Sequence, residues 1–207
     1  MTAKASLQHT TRPIVLASAS RARRELLAAA GVPFTVEAAD VDEPALRRAL
    51  NPQTKPTEVA ETLARAKAKD VGARHEDALV IGADQVLAFG DEILTKPGNE
   101  EGARKTLLKL RGQTHELHSS VAFAERGEIV WMHTGTARLT MRDFSDDFLD
   151  EYLVRSGDSV GQSVGAYELE STGVQLFERV EGDYFTVLGL PLLAVLGELR
   201  TRGVIAA

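Results

Sequence analysis

The sequence contains no cysteine, which excludes a disulfide scaffold, a thiolate metal site and a thiol nucleophile. It also lacks any apolar run of the roughly 18 residues that a membrane-spanning helix needs. The first residues, Met1–Thr11, are polar and contain no hydrophobic stretch of the kind that a secretory signal requires. We therefore expect a cytoplasmic protein that does not associate with membranes.

Common nucleotide and hydrolase motifs are missing as well. The sequence has no G-x-x-x-x-G-K-[ST] loop, no G-x-G-x-x-G after a strand and no G-x-S-x-G elbow. These absences exclude the common ATPase, dinucleotide-binding and serine-hydrolase interpretations. The histidines show neither H-x-x-x-H nor H-E-x-x-H spacing, so we predict no histidine zinc site and assign no role to them: His9, His75, His115, His118 and His133.

The net charge of the chain limits the kinds of ligand and macromolecule that it can bind. The chain of 207 residues carries a formal net charge of −6. A net acidic surface repels duplex nucleic acid, whose binding depends on cations that replace the phosphate counterions, so we predict no nucleic-acid partner. Any polyanionic ligand would have to be held by a local cluster of cations.

Apolar periodicity and turn residues predict an α/β protein, with composition in the ordinary globular range. The stretches between the predicted elements are interpreted as loops, including the acidic stretch around Asp42 and the glycine-rich stretch 157–165. We expect one domain over residues 13–207, with a long, twisted mixed sheet flanked by helices, after a disordered or extended tail over residues 1–12. The predicted strands cover 14–17, 33–37, 78–81, two long stretches within 113–141, 174–177 and 184–188, and the predicted helices cover 23–30, 57–71, 99–110, 145–155 and 191–202.

The segment Leu16–Arg24 is the first candidate for chemistry. Its serines, Ser18 and Ser20, and its arginines, including Arg23 and Arg24, lie where a strand passes into a helix. The free N–H groups and the dipole of a helix N-terminus favour the binding of an anion there, and phosphate is the expected ligand. The alternative is a serine-capped surface helix with solvated arginines.

Asp84 is the second candidate, because a carboxylate directly after a buried apolar strand loses solvation unless a metal, a cation or a donor compensates it. Alternatively, Asp84 ends the strand by bonding to the backbone of the next turn. Glu43, Lys67 and Lys96 are weaker signals, since an acidic pair in a loop, a helix lysine and a Lys-Pro turn are all common on solvated surfaces.

Taken together, these residues resemble the motifs of the Maf family in order and spacing, over roughly residues 14 to 200. The resemblance implies a two-lobed α/β fold with a central cleft, related to inosine triphosphatases, and a homodimer. It also implies a pyrophosphatase that cleaves a nucleoside triphosphate to the monophosphate and pyrophosphate with a divalent cation such as Mg, Mn or Co. The matching motifs are Leu16–Ser20, Arg23-Arg24, Val41–Glu43, Leu63-Ala64 with Lys67-Ala68, Gly82–Asp84, Lys96-Pro97, Gly112 with His115, Gly182-Asp183 and Gly189–Leu192.

The resemblance also implies a role for each matching residue. Asp84 would be the catalytic acidic residue, as proton acceptor for water or through the metal, and Glu43 would share that metal. Lys67 and Lys96 would hold the triphosphate. The anion pocket at the start of the first helix would be lined by Ser18, Ser20, Arg23 and Arg24.

Three positions bear on which nucleobase the substrate carries. Gln85 and Glu170 resemble the subgroup that prefers 7-methyl-GTP, whereas Ala22 differs from both that subgroup and the members that prefer dTTP and UTP. A carboxylate suits the two donors and the positive charge of 7-methylguanine better than a neutral amide does. We expect a house-cleaning enzyme for modified nucleotides such as 7-methyl-GTP. A dTTP/UTP pyrophosphatase and a non-catalytic nucleotide-binding regulator of cell division are the alternatives.

Overall fold

A seven-stranded mixed sheet forms the centre of the protein, and the computed structural model describes residues 12–206. The strand order is β2-β1-β3-β5-β6-β7, with β4 paired to β3; β1 is parallel to β2 and β3, and the other pairs are antiparallel. The predicted α/β class with a mixed sheet flanked by helices is confirmed. The strands are β1 Ile14–Ala17, β2 Thr35–Val36, β3 Leu79–Phe89, β4 Glu92–Leu94, β5 Thr114–Glu125, β6 Glu128–Met141 and β7 Phe177–Glu181.

Seven α-helices accompany the sheet within residues 12–206. None of them is long and apolar enough to cross a membrane. Except for Arg12, the predicted N-terminal tail lies outside the described residues; the Arg12 side chain lies 3.0 Å from Glu125 of β5. The helices are α1 Arg21–Ala29, α2 Glu43–Ala49, α3 Pro56–Gly72, α4 Glu100–Leu110, α5 Asp146–Ser156, α6 Tyr184–Val187 and α7 Leu192–Thr201.

Strand β1 shows why helices cover both faces of the sheet. All four of its residues are buried and apolar, and successive side chains of a strand point to opposite faces. Ile14 and Leu16 pack with the side chains of α1 and α7, whereas Val15 and Ala17 pack with those of α3. A separate apolar cluster joins α4 and α5 to the far ends of β3, β5 and β6.

Two features near the predicted site differ from the prediction. The acidic stretch predicted as a loop contains helix α2, which begins because the Asp42 side chain accepts a hydrogen bond from the N–H of Ala45 and Pro44 occupies its first turn. Strand β3 continues to Phe89, so Asp84 lies within the strand and not at its end. The predicted strand was too short because Asp84 and Gln85 interrupt its apolar pattern.

The prediction of strands at 174–177 and 184–188 was wrong. The first stretch falls mainly in a 3₁₀ turn, Thr172–Leu176, and the strand β7 follows it. The second is the short helix α6, because the Asp183 side chain accepts a hydrogen bond from the N–H of Thr186 and caps the turn. The apolar residues that alternate in this segment therefore lie on a helical turn and not on a strand.

Candidate active site

A cleft opens where strand β1 ends beside β3. The last paired residues are Ala17 and Gly82, and β4 pairs with β3 only from Leu87 onward. Residues 83–86 therefore lie in a gap between β1 and β4. A cavity of about 790 Å³ occupies this region, and both Asp84 and Gln85 line it.

Asp84 and Gln85 are adjacent in β3, so their side chains point to opposite faces of the sheet. The Asp84 carboxylate meets Lys67 of α3 on one face, and the Gln85 amide meets the backbone of Val187 on the other. Both reach the same cavity at the gap. Asp84 and Gln85 therefore reach the cleft from opposite faces of the sheet.

Lys67 connects Asp84, predicted as the catalytic carboxylate, with Glu43, predicted to share its metal. Its Nζ lies 2.7 Å from Asp84 Oδ1 and 2.7 Å from Glu43 Oε1. Partial burial acts to raise the pKa of Glu43, but the hydrogen bond and charge of Lys67, with Arg47 and Arg23 nearby, hold this pKa below its ordinary value. Glu43 is therefore ionised at neutral pH.

Gly82 permits this contact between α3 and β3. A Cβ atom at residue 82 would lie 2.5 Å from the carbonyl oxygen of Ala64 and 2.5 Å from the N atom of Ala68. Only glycine lets the helix backbone come this close to the strand. Because Lys67 lies on the same turn of α3, the close approach brings its ammonium group to Asp84.

Arg23 is buried and holds three parts of the site together. Its Nε donates to the carbonyl of Gly189 at 2.8 Å, and its Nη1 donates to the carbonyl of Ala83 at 3.0 Å and to Ser18 Oγ at 3.1 Å. Burial lowers the pKa of Arg23, and the carboxylates of the cleft counteract this effect. Most of its donors are thus used within the protein, which makes Arg23 a cross-link as well as a cation beside the cleft.

Helix α1 begins at the wall of the cleft as predicted, although two residues earlier. Ser20 is its N-cap, and its Oγ accepts from the N–H of Arg23 at 3.4 Å. Ser18, Ser20, Arg21 and Ala22 all line the cavity. The N–H groups of the first helical residues have no intrahelical acceptor and face an anion favourably. Arg24, by contrast, is exposed and outside this lining.

The orientation of the Gln85 amide follows from its partners. Its Nε2 lies 2.9 Å from the carbonyl oxygen of Val187, 3.2 Å from that of Thr186 and 2.9 Å from Ser119 Oγ. Carbonyl oxygens only accept, so the nitrogen must face them. The amide N–H groups are used, and Oε1 is the atom of this side chain that is available to accept a hydrogen bond from a ligand.

The opposite wall is formed by residues 163–170. Tyr167 is buried, its N–H donates to Ser163 Oγ at 2.9 Å, and its hydroxyl lies 2.7 Å from His115 Nε2. Burial lowers the pKa of His115 to about 4, so the ring is neutral near pH 7. This pair anchors the segment that carries Glu170, which is exposed and lines the cavity. No role was predicted for His115 from its spacing in the sequence.

Two arginines for which no individual role was predicted also line the cavity. Arg47 is on α2, and its Nη2 lies 3.7 Å from Asp84 Oδ2. Arg21 donates to Glu25 at 2.7 Å, which is the main cause of its raised pKa, and Glu170 adds a smaller effect from across the cleft. Helix α2 was not predicted; the i, i+4 spacing of Glu43 and Arg47 would have been the signal for Arg47.

The cleft is richer in positive charge than the protein as a whole. Five cationic side chains and four carboxylates line it, whereas the formal net charge of the chain is −6. The local excess of cations is what a polyanionic ligand requires in an acidic protein. The cations are Arg21, Arg23, Arg47, Lys67 and Lys96, and the carboxylates are Glu43, Asp84, Glu168 and Glu170.

The donor set fits one divalent cation of the magnesium type. Within the described residues, no group of three or more histidine, aspartate or glutamate side chains is arranged to hold a metal. However, Asp84 Oδ2 is buried and accepts no hydrogen bond there, and Glu43 is held close by through Lys67. Magnesium is commonly bound by one or two carboxylates together with water and substrate phosphates. Glu43 and Asp84 match that pattern.

These features define an α/β protein with a charged cleft beside the end of a parallel strand pair. The Maf-like protein family matches residues 13–202 of this sequence. The chain belongs to that family, and the predicted resemblance is confirmed.

Relatives match nearly the whole chain. A nucleoside triphosphate pyrophosphatase of Paramagnetospirillum magneticum is 52% identical over 190 residues, which cover 91% of this chain and 98% of that protein. The 7-methyl-GTP pyrophosphatases of Rhizobium meliloti and Brucella abortus are 47% and 48% identical, over 94% and 92% of this chain and 98% and 96% of their own. A solved HAM1 protein of Coxiella burnetii aligns with 65% of this chain and 75% of its own, at 17% identity and a TM-score of 0.37.

Proposed function

We propose that this protein is a nucleoside triphosphate pyrophosphatase, an enzyme that hydrolyses the α–β phosphoanhydride to release a nucleoside monophosphate and pyrophosphate. The observation that carries the proposal is the contact of Lys67 with both Asp84 and Glu43 in a cation-rich cleft. The names of the relatives support the same activity.

Asp84 is the proposed proton acceptor for the attacking water. Its Oδ1 accepts from Lys67, which holds the carboxylate in one orientation. Its Oδ2 accepts no hydrogen bond from the described residues, so this oxygen is left either to take the proton directly or to bind a cation that activates the water. The cations of the cleft offset the negative charge of the triphosphate, which otherwise repels the nucleophile. Lys96 and the N-terminus of α1, with Ser18 and Ser20, are the proposed phosphate-binding groups.

Glu43 and Asp84 are the proposed ligands of a divalent cation. When bound, such a cation neutralises phosphate charge and lowers the pKa of bound water. Lys67 keeps the two carboxylates close together despite their like charges.

We further propose that the base is 7-methylguanine. The Gln85 Nε2 group donates to Val187, which leaves Oε1 to accept a hydrogen bond from the base, and Glu170 supplies a negative charge at the same cavity. Guanine presents two donors on its Watson–Crick edge, and methylation adds a positive charge, so both groups suit it. Uracil and thymine present a single donor there and no charge. Relatives named 7-methyl-GTP pyrophosphatase support this choice.

The activity is tested with Asp84→Asn, which preserves shape but removes the proton acceptor. We expect pyrophosphate release with magnesium or manganese to fall by on the order of 10²-fold or more, with the melting temperature of the variant measured in parallel. Turnover near that of the wild type would remove Asp84 from the mechanism. A wild-type chain that releases no pyrophosphate from any nucleoside triphosphate would favour the alternative of a non-catalytic regulator of cell division.

The base is tested with Glu170→Gln in a screen of 7-methyl-GTP, GTP, dTTP, UTP and CTP. We expect kcat/KM for 7-methyl-GTP to fall by on the order of tenfold relative to UTP, because one charge-assisted contact is lost. An unchanged ratio would contradict the role of Glu170 in base choice. A preference of the wild type for dTTP and UTP would favour the alternative within the family.

The remaining expectations stay predictions. A cytoplasmic location, a homodimer, the absence of a nucleic-acid partner and the domain limits at residues 13 and 207 follow from the sequence and the resemblance alone. Sedimentation analysis tests the dimer, and a gel-shift titration at low salt tests the nucleic-acid prediction.

A further inference from the structure

Arg47 is an additional cation of the cleft whose guanidinium group has no firm partner. It lies one helical turn after Glu43 on α2, lines the cavity, and its side chain is 29% exposed. Its Nη2 lies 3.7 Å from Asp84 Oδ2. This separation is an ion pair but is too long for a hydrogen bond.

The other arginines of the cleft each donate at least one hydrogen bond within the protein. Arg23 donates to Gly189, Ala83 and Ser18, and Arg21 donates to Glu25. The side chain of Arg47 donates no hydrogen bond to any residue between 12 and 206. Its planar group, with five N–H donors, is therefore available to a ligand.

Helix α2 places the Arg47 side chain at the cleft. None of its residues is buried, and Leu46 and the following Leu50 attach it to the apolar cluster around Val59 and Leu63 of α3. With Leu46 on the side of α3, the side chains of Glu43 and Arg47 face the cleft. Arg47 thus contributes nothing to a buried core, and its position is explained by the cavity.

We propose that Arg47 binds a phosphate group of the nucleotide and leaves Asp84 Oδ2 when the nucleotide enters. The inference deepens the proposed function and rests on it. Asp84 already has a close cationic partner in Lys67, at 2.7 Å, so it does not need Arg47 for charge balance. A guanidinium group matches two phosphate oxygens at once, and phosphate carries more charge than one carboxylate. A divalent cation at Asp84 would also repel Arg47 from that oxygen.

The test uses Arg47→Ala and Arg47→Lys, with Arg48→Ala as the matched control. Arg48 is the next residue of the same helix, but it is exposed and lies outside the cavity lining. Calorimetry in EDTA measures the binding of inorganic pyrophosphate and of a nucleoside monophosphate to the metal-free protein. Steady-state kinetics with magnesium measures KM and kcat, and thermal unfolding monitors the fold.

We expect Arg47→Ala to weaken the binding of at least one of the two ligands and to raise KM, each by on the order of tenfold, as expected for loss of a charge-assisted contact. Arg47→Lys should keep part of the affinity, because it keeps the charge but not the planar fork. Weaker pyrophosphate binding would place the contact on the leaving group, and weaker monophosphate binding would place it on the α-phosphate.

The proposal is overturned if the affinities of Arg47→Ala for both ligands stay within about twofold of those of Arg48→Ala. It is also overturned if only kcat and its pH profile change, because Arg47 would then act solely on Asp84. Absence of pyrophosphate release by the wild-type chain would instead refute the proposed function. Failure of the Arg47 proposal and failure of the proposed function therefore give different experimental results.

Discussion

Gly82→Ala is the sharpest test of how the site is assembled, because it adds one methyl group between α3 and β3. The new Cβ would lie 2.5 Å from two backbone atoms of α3, in Ala64 and Ala68, whereas ordinary contacts of a Cβ atom begin near 3.4 Å. Backbone atoms cannot rotate away as the end of a side chain can. We therefore expect the helix to move by about 1 Å relative to the strand, the difference between these distances.

The magnitude follows from this displacement. Overpacking of this kind costs about 1–3 kcal/mol. For a domain of this size, each kcal/mol lowers the melting temperature by about 2–4 °C, so we expect a decrease of roughly 2–12 °C. Lys67 lies on the displaced turn, and its 2.7 Å contact with Asp84 would lengthen. A misplacement of about 1 Å in an active site can reduce turnover by about 10²-fold.

The assay combines thermal unfolding with pyrophosphate release at a temperature at which the variant is fully folded. Gly197→Ala is the matched control, because Gly197 lies within helix α7 and a Cβ atom there would meet nothing within 4 Å. Alanine is the better helix former by about 1 kcal/mol, so the control should be as stable as the wild type or more stable. If Gly82→Ala melts within about 1 °C of the wild type and keeps its activity, α3 does not pack on β3 in this way.

Two further predictions concern single groups. Burial lowers the pKa of His115 to about 4 in the folded protein, against 6.5 for an ordinary histidine. As the pH falls, the unfolded chain therefore takes up this proton before the folded protein does. The free energy of unfolding is unaffected by this proton above pH 6.5 and decreases as the pH falls toward 4. Urea unfolding should lose about 2 kcal/mol more between pH 7 and pH 5 in the wild type than in His115→Gln, and equal losses would contradict this assignment. Arg23→Lys should lower the free energy of unfolding by about 2–4 kcal/mol, because the buried carbonyl groups of Gly189 and Ala83 lose their donors. Lys96→Ala should weaken only catalysis. Equal melting temperatures of the two variants would refute the role of Arg23 in joining these parts of the fold.

Much of the secondary structure followed from local signals. The predicted helices 99–110 and 145–155 match α4 and α5, because Asn99 and Ser145 cap their N-termini and the left-handed glycines Gly112 and Gly157 follow their last turns. The turn at Gly127 separated the two long strands. Helix α2 was missed because it has only seven residues and no buried apolar stripe, so its sequence lacks the periodicity of a packed helix.

The sequence by itself determined most of the helices and strands, the family resemblance and most of the charged residues of the site, because caps, turns and periodicity act between residues that are close in the chain. Only the tertiary structure decided what each charged residue contacts. Arg23 meets the carbonyl of Gly189, 166 positions away, and Gln85 meets that of Val187, 102 positions away. The approach of α3 at Gly82 brings Lys67 to Asp84, and the strand gap opens the cleft. Such contacts depend on how helices pack on the sheet, and no local pattern encodes that packing.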